Sequence, residues 1–291
     1  MPDSHSSKTC GHLFFANPSA VGHVADVLRT DTKPGWITLT TDFGSDDWFV
    51  GTMKGVIARI SPKTRVIDLN HGLPPGDIAA GSFSLAAGFR FFPKGTLHIA
   101  IVDPGVGSER HPIAVRTAEF LFLAPDNGIL SRVLLHSPAL EIRIIANPAW
   151  RLPEISHTFH GRDIFAPAAA HLAAGADLSE AGPEIKTCVN LPMPQAQARA
   201  HSVKGAIVYL DRYGNAITNI PNKGFVGAER AAHVFVGVKR VTRVHEFYQS
   251  VAPGKPVCVP GSSGFLEIAV HQGDAARKLH LKVGSKVSVK W

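Results

Sequence analysis

The apolar pattern of this chain changes character once, near residues 195–202, and that change limits the possible folds more than any other feature. Before it, β-rich runs alternate with helical periodicity. Trp36 to Thr41 reads as a strand, and Asp46 to Ile60 then places Phe49, Val50, Met53, Val56, Ile57 and Ile60 at helical spacing. The runs 65–69, 96–102, 113–116, 120–123 and 140–145 read as further strands, interleaved with helices over 78–89, 129–136 and 165–174. Such alternation implies an α/β unit, a mostly parallel sheet with flanking helices. Residues 183–200 are polar and Pro-rich, the composition of a linker. From Val203 onward only short β-type runs remain, over 206–210, 233–238, 256–259, 264–270 and 286–290, separated by Gly, Pro and Asn. Those predict a smaller all-β barrel domain. The expected organisation is a weakly attached leader over 1–35, an N-terminal α/β domain over 36–195 and a C-terminal β-barrel domain over 203–291.

Composition narrows the function classes. The chain has 291 residues, 45% of them hydrophobic and only 18% charged, which is a globular profile. Its formal charge of +7 comes from dispersed Lys and Arg, with no block that reads as a nucleic-acid footprint. Three distant cysteines (Cys10, Cys188, Cys258) do not make a disulfide framework, so a reducing, cytoplasmic setting is expected. No apolar run approaches membrane-spanning length.

Four clusters carry candidate chemistry. The run Val102-Asp103-Pro104-Gly105-Val106-Gly107-Ser108-Glu109-Arg110 puts a carboxylate and a guanidinium seven residues apart, just past the end of a buried strand. Open α/β sheets build ligand sites at that edge. Thr41-Asp42-Phe43-Gly44-Ser45-Asp46-Asp47 is a strand-to-helix junction with three carboxylates. A carboxylate there suits a ribose diol, a metal or an ammonium, while Ser45 or Asp46 is a natural cap for the following helix. Thr158-Phe159-His160-Gly161-Arg162-Asp163 sets a histidine at a helix start. If His160 meets Asp103 and Arg110, the trio can hold and polarise a water. A metal held by Asp103, His160 and Asp163 is the rival, and no HxxxH or HxH spacing supports it. In the second half, the Asp211-to-Asn219 segment and the loop Pro260-Gly261-Ser262-Ser263-Gly264 offer amide and hydroxyl groups that suit a purine edge, with Phe247 and Tyr248 as stacking faces. Asn215 and Asn219 equally suit plain turns.

Taken in order, Thr41-Asp42-Phe43-Gly44, Met53-Lys54-Gly55, Val102–Gly107 with Arg110, Pro125-Asp126-Asn127-Gly128, His160 to Pro167, Tyr213-Gly214-Asn215 with Thr218-Asn219, and Ser262-Ser263-Gly264 resemble the S-adenosyl-L-methionine hydroxide adenosyltransferases. These are adenosine-forming hydrolases related to fluorinating and chlorinating enzymes, and the resemblance spans roughly residues 36 to 291. It implies a homotrimer whose substrate lies between the N-terminal domain of one subunit and the C-terminal domain of its neighbour. It implies Asp103, Arg110 and His160 as the water-activating trio, any of them a candidate for the proton, and Asp42 as the ribose carboxylate. It sets Asp47 near the methionine amino group, Asn190 and Ser262 at further methionine contacts, and Asn215 and Phe247 in the adenine pocket. No metal and no cofactor are implied, since S-adenosyl-L-methionine is the substrate. The halogenating relatives carry hydroxyl-bearing side chains at the positions of Asp103, Val106 and Gly161. A carboxylate at 103 repels a halide but accepts a hydrogen bond from water, so hydrolysis is the expected branch. A halogenase, or a protein that binds the nucleoside without turnover, are the alternatives.

Overall fold

The computed structural model describes residues 34–225 and 232–291. The expected leader falls almost wholly outside them. The first part of the described chain runs β1 (Trp36–Thr41), α1 (Phe49–Ile60), β2 (Arg65–Asn70), α2 (Ile78–Gly88), β3 (Leu97–Ile101), β4 (Pro112–Arg116), β5 (Leu121–Pro125), α3 (Ser131–His136), β6 (Glu141–Ile144) and α4 (Ala166–Ala174). The strands form one sheet in the order β2-β1-β3-β5-β4-β6. Only β4 runs against the rest, paired antiparallel with β5 and β6, so the sheet is mixed but mostly parallel.

Strand alternation divides the core between the two faces of the sheet. Ile37, Leu39, Leu97, Ile99 and Ile101 pack with Met53 and Ile57 of α1 and the alanines of α4. Ala100, Val102, Phe122 and Ala124 pack on the other face with Leu85 of α2 and Val133 of α3. All five residues of β3 are therefore buried, as a central strand covered on both sides must be. The chain leaves β1 towards β2 and later returns to β3 on the other side of β1. The sheet order thus reverses at the β1/β3 boundary, where open α/β sheets bind their ligands.

His98 of β3 lies in this core, fully buried, with Nδ1 2.7 Å from Thr38 Oγ1 and its ring stacked on Phe122. Burial pushes its pKa down to about 3. The unfolded chain takes up that proton below about pH 6.5, whereas the folded chain refuses it until far lower pH. Stability is therefore fully present above pH 6.5 and falls with acidification by about 1.4 kcal/mol per pH unit from this group alone. Thermal melts of the wild type and His98→Gln at pH 6.5 and 4.5 check this. The wild type should lose about 2 kcal/mol more than the variant over that interval, and equal losses would remove His98 from the acid response.

The second part continues through β7 (Gln197–Arg199), β8 (Ser202–Leu210), β9 (Ala216–Pro221), β10 (His233–Val236), β11 (Lys239–Arg243), β12 (Pro256–Pro260), β13 (Phe265–Val270), α5 (Ala275–Leu279) and β14 (Lys286–Lys290). They form an antiparallel sheet in the order β11-β10-β14-β8-β9-β13-β12, with β7 added on β8. A parallel bridge between Val244 and Cys258 links the two ends, making the sheet a nearly closed barrel around Val234, Ile268, Val287 and Val289. Phe83 of α2 joins the two parts, stacked on Tyr209 of β8 with centroids 4.8 Å apart.

Several expectations need correction. The first helix starts at Phe49 and not at Asp46, and neither Ser45 nor Asp46 caps it; Ser45 Oγ donates to Asp46 instead. Asn219 sits inside β9, where it accepts from the Ala206 amide and donates to the Pro194 carbonyl, so it makes no turn. The segment at 183–200 has linker composition, yet its backbone is tied down. The Ile185 amide donates to Ile142, Val189 to Asp126 Oδ1 and Leu191 to Ser131 Oγ. Its prolines erase any periodicity while leaving the remaining N–H groups free to find partners on the sheet edge.

Candidate active site

The loop from Val102 to His111 leaves the C-terminal end of β3 and enters β4. Since β5 lies between those strands, the loop passes over the C-terminal end of β5. Both of its feet are fastened to residues just beyond β5. Asn127 Nδ2 donates to the Val102 carbonyl at 2.8 Å, and the Asp126 amide donates to the His111 carbonyl at 2.8 Å. The bridged gap is two strand spacings, about 10 Å. The loop folds back within it and faces Asp103 with Arg110.

Arg110 Nε lies 3.2 Å and 2.9 Å from the two Asp103 oxygens, and Nη2 also donates to Oδ2. The side chains are only 5% and 10% exposed, so this is a shielded pair and no solvent-screened surface contact. Arg110 Nη2 also lies 2.8 Å from His160 Nδ1. A guanidinium has only donors, so Nδ1 accepts and the neutral imidazole carries its proton on Nε2. Burial, and then the nearby Arg110 charge, hold the His160 pKa below its ordinary value, which keeps the ring neutral near pH 7. Arg110 Nη1 is buried with no partner among the described residues, a donor left over for something the site receives.

His160 stands at the head of a π-helical turn, Gly161–Phe165, that feeds into α4. Two contacts set its place. Gly107, with φ of 80°, lies against the His157 carbonyl so closely that a Cβ would come 3.2 Å from its carbon and nearer still to its oxygen. Asp163, fully buried, accepts from the Ser156 amide at 2.8 Å and from Arg162. Asp163 therefore braces the segment before His160, and it does not converge with Asp103 and His160 on a common point. Among the described residues no three His, Cys, Asp or Glu side chains stand together as a metal-ligating group.

Asp42 follows β1, whose Thr41 pairs with Ile101 of β3, so the Asp42 and Asp103 segments leave neighbouring strand ends. One Asp42 oxygen accepts the Gly76 amide at 2.7 Å, and no hydrogen-bond partner among the described residues occupies the other. Phe43 packs with Phe49 and Phe159, and this aromatic group closes on the space beside Gly161. Asp47 is exposed. Asn190 is exposed too, between the anchors Val189 and Leu191 that fix it beside the end of β5.

The remaining candidates belong to the barrel. Asn215 Nδ2 donates to Asp211 Oδ2 at 3.0 Å, Phe247 is 56% exposed beside Tyr248, and Tyr248 donates to Glu267 at 2.6 Å. Gly261, next to Ser262, lies against Glu267, so this set shares one region of the barrel. No hydrogen bond or ion pair among the described residues joins it to the Asp103 group. Sequence reading overlooked Asn127, Asp126 and Gly107 as supports, though the Asp-Asn-Gly run after a strand was a visible cue. It also overlooked the chain Lys54–Asp68–His71–Thr41, with separations of 2.6, 3.0 and 2.8 Å, which steadies the Asp42 turn.

Residues 37–182 match the model of the SAM hydroxide adenosyltransferase N-terminal domain, and residues 205–288 match that of its C-terminal domain. The chain belongs to the SAM hydroxide adenosyltransferase family. Within that family's reach, it is 38% identical over 257 residues to an (R)-S-adenosyl-L-methionine hydrolase of Salinispora tropica, covering 87% of this chain and 97% of the relative. A fluorinase of an Actinoplanes species is 27% identical over 287 residues, covering 87% and 96%. A crystal structure of an uncharacterized conserved protein from Thermotoga maritima superposes with a TM-score of 0.83 at 36% identity, covering 88% and 100%.

Proposed function

We propose that this protein hydrolyses S-adenosyl-L-methionine to adenosine and L-methionine. The observation that carries this reading is the Asp103–Arg110–His160 network at the β1/β3 switch, a shielded place for one small nucleophile with a spare Arg110 donor. Water attacks the ribose C5′ carbon. The C5′–O bond forms as the C5′–S bond breaks, and its electron pair leaves on sulfur as a neutral thioether, so no general acid is needed. Asp42, with one oxygen unpartnered among the described residues, holds the ribose hydroxyls. His160 Nδ1 is taken by Arg110 and the guanidinium accepts nothing, which leaves the Asp103 carboxylate to take the water proton. Arg110 Nη1 orients the attacking oxygen and offsets the hydroxide character it acquires as its proton passes to Asp103, an effect that the low-dielectric walls strengthen. A halide in the same place would face the Asp103 carboxylate, which opposes the halogenase reading.

The reading extends to assembly. The α/β part (36–195) of one copy supplies Asp42, Asp47, Asp103, Arg110, His160 and Asn190, and the barrel part (203–291) of a neighbour supplies Asn215, Phe247 and Ser262 in a homotrimer. That no hydrogen bond or ion pair among the described residues joins the two sets within one chain supports this, and a mass of three 31.1 kDa chains by light scattering checks it. Free thiols at Cys188 and Cys258 favour a reducing, cytoplasmic setting.

The deciding experiment incubates the purified protein with S-adenosyl-L-methionine and resolves products by chromatography. Adenosine and methionine should appear in equal amounts, and their absence above the protein-free control would end the proposal. Added chloride or fluoride should yield no 5′-halo-5′-deoxyadenosine. His160→Ala should retain binding and lose turnover, which separates an enzyme from a binding protein.

A further inference from the structure

A cavity of about 390 Å³ lies between α2, α3 and the barrel; Asn219, Ser263 and Gly264 of the purine-edge candidates line it, but none of the residues that the proposed reaction uses does. Its size is that of a small-molecule site. Its charged lining is one-sided: Arg90, Arg132 and His136 contribute basic groups, and no carboxylate among the described residues contributes. Arg132 is half-buried and stands over the Phe83 ring at 5.4 Å, with no acidic partner among the described residues. Burial pushes its pKa down. A second group is left open here. Ser263 Oγ is buried without a hydrogen-bond partner among the described residues. The amide of Asn219, by contrast, is already committed to Ala206 and Pro194. Apart from the neutral amide of Gln195, the rest of the wall is mainly apolar, from Phe83, Leu135, Met193 and Phe265.

A lone half-buried guanidinium and an orphaned hydroxyl facing an apolar wall call for a ligand with the opposite charge on one end and hydrocarbon on the other. We propose that this cavity is a second binding site, for a small organic anion that carries a carboxylate or phosphate on an apolar body. The anionic head meets Arg132 and Ser263, Arg90 adds attraction at the rim, and the body lies on Phe83 and Phe265. The site goes beyond the proposed reaction and does not depend on it.

Titration calorimetry of the full chain tests this with phenylacetate and phenyl phosphate as probes and 2-phenylethylamine as the cationic counterpart. At least one anionic probe should bind saturably at or below about 10 mM, the amine should not, and Arg132→Gln should weaken the anion at least about tenfold. Should Arg132→Gln not fold, as judged by its melting curve, Arg90→Gln serves instead and should weaken binding about threefold. Equal binding of amine and anion, no saturation by either anion, or unchanged affinity in the folded variant would overturn the proposal. Displacement of the probe by L-methionine would place the cavity inside the substrate site and would overturn it as well. Because the readout is binding and not turnover, it stands or falls independently of the hydrolase assay.

Discussion

Replacing Arg110 by Gln should lower kcat for S-adenosyl-L-methionine hydrolysis by about 10³-fold or more. One guanidinium performs three tasks in the structure. It neutralises a nearly unexposed Asp103, donates to His160 Nδ1, and keeps Nη1 buried and unpaired for the incoming oxygen. Loss of a single preorganised donor costs about 10²- to 10³-fold in rate. Leaving a shielded carboxylate without its cation costs a further 3 to 5 kcal/mol, roughly, which is expressed partly as lost stability and partly as a displaced Asp103. Arg110→Lys restores charge without the planar fork, so it should recover much of the melting temperature and little of the rate. Steady-state kinetics alongside thermal melts would separate the two contributions. A Gln variant within tenfold of wild-type kcat would show that the network does not serve the reaction.

Gly107→Ala should cost about 2 to 4 kcal/mol of stability and most of the activity, although residue 107 touches no substrate in the proposed reaction. Two penalties combine. A φ of 80° is unfavourable for alanine by about 1 kcal/mol, and the new methyl meets the backbone carbonyl of His157, which cannot rotate aside. Relief of that clash pushes the 156–160 segment away from the loop and takes His160 out of reach of Arg110. Gly284 makes a clean comparison. Its φ is 87° and nothing lies within 4 Å of its would-be Cβ, so Gly284→Ala should show the backbone penalty alone. Denaturant melts of the two variants would settle the matter, and equal losses would mean that Gly107 is not closely packed in solution.

Much of this architecture was legible in the residues. The apolar face of α1 is written at helical spacing, and the all-apolar run of β3 marks a strand covered on both sides. Asp103, Arg110 and Asp42 could be placed at strand ends because Pro and Gly mark where the strands stop. Other elements left weaker traces. β11 (Lys-Arg-Val-Thr-Arg) is charged because it ends the ordered path of the barrel sheet, so little of it needs to be apolar. β9 was obscured by Asn219, whose polar side chain is repaid by two backbone partners that no local pattern reveals. The bracing role of Asp163 was hidden for a similar reason. Its spacing from His160 suggested partnership, while its actual bonds run to Arg162 and to the Ser156 amide seven residues back.

The fastening of the Val102–His111 loop to residues 126 and 127 has a consequence for how the protein is made. A ribosome releases β3 and the loop well before β5, so Asp103 and Arg110 emerge onto a surface that does not yet exist. Only when β5 slots between β3 and β4 do the loop's feet acquire their ties at residues 126 and 127, and His160 arrives later still to complete the trio. The reactive centre is thus among the last things the α/β sheet assembles. A chain halted partway through synthesis would present a strand-and-helix layer and two matched charges, with no chemistry to perform on the cell's sulfonium pool.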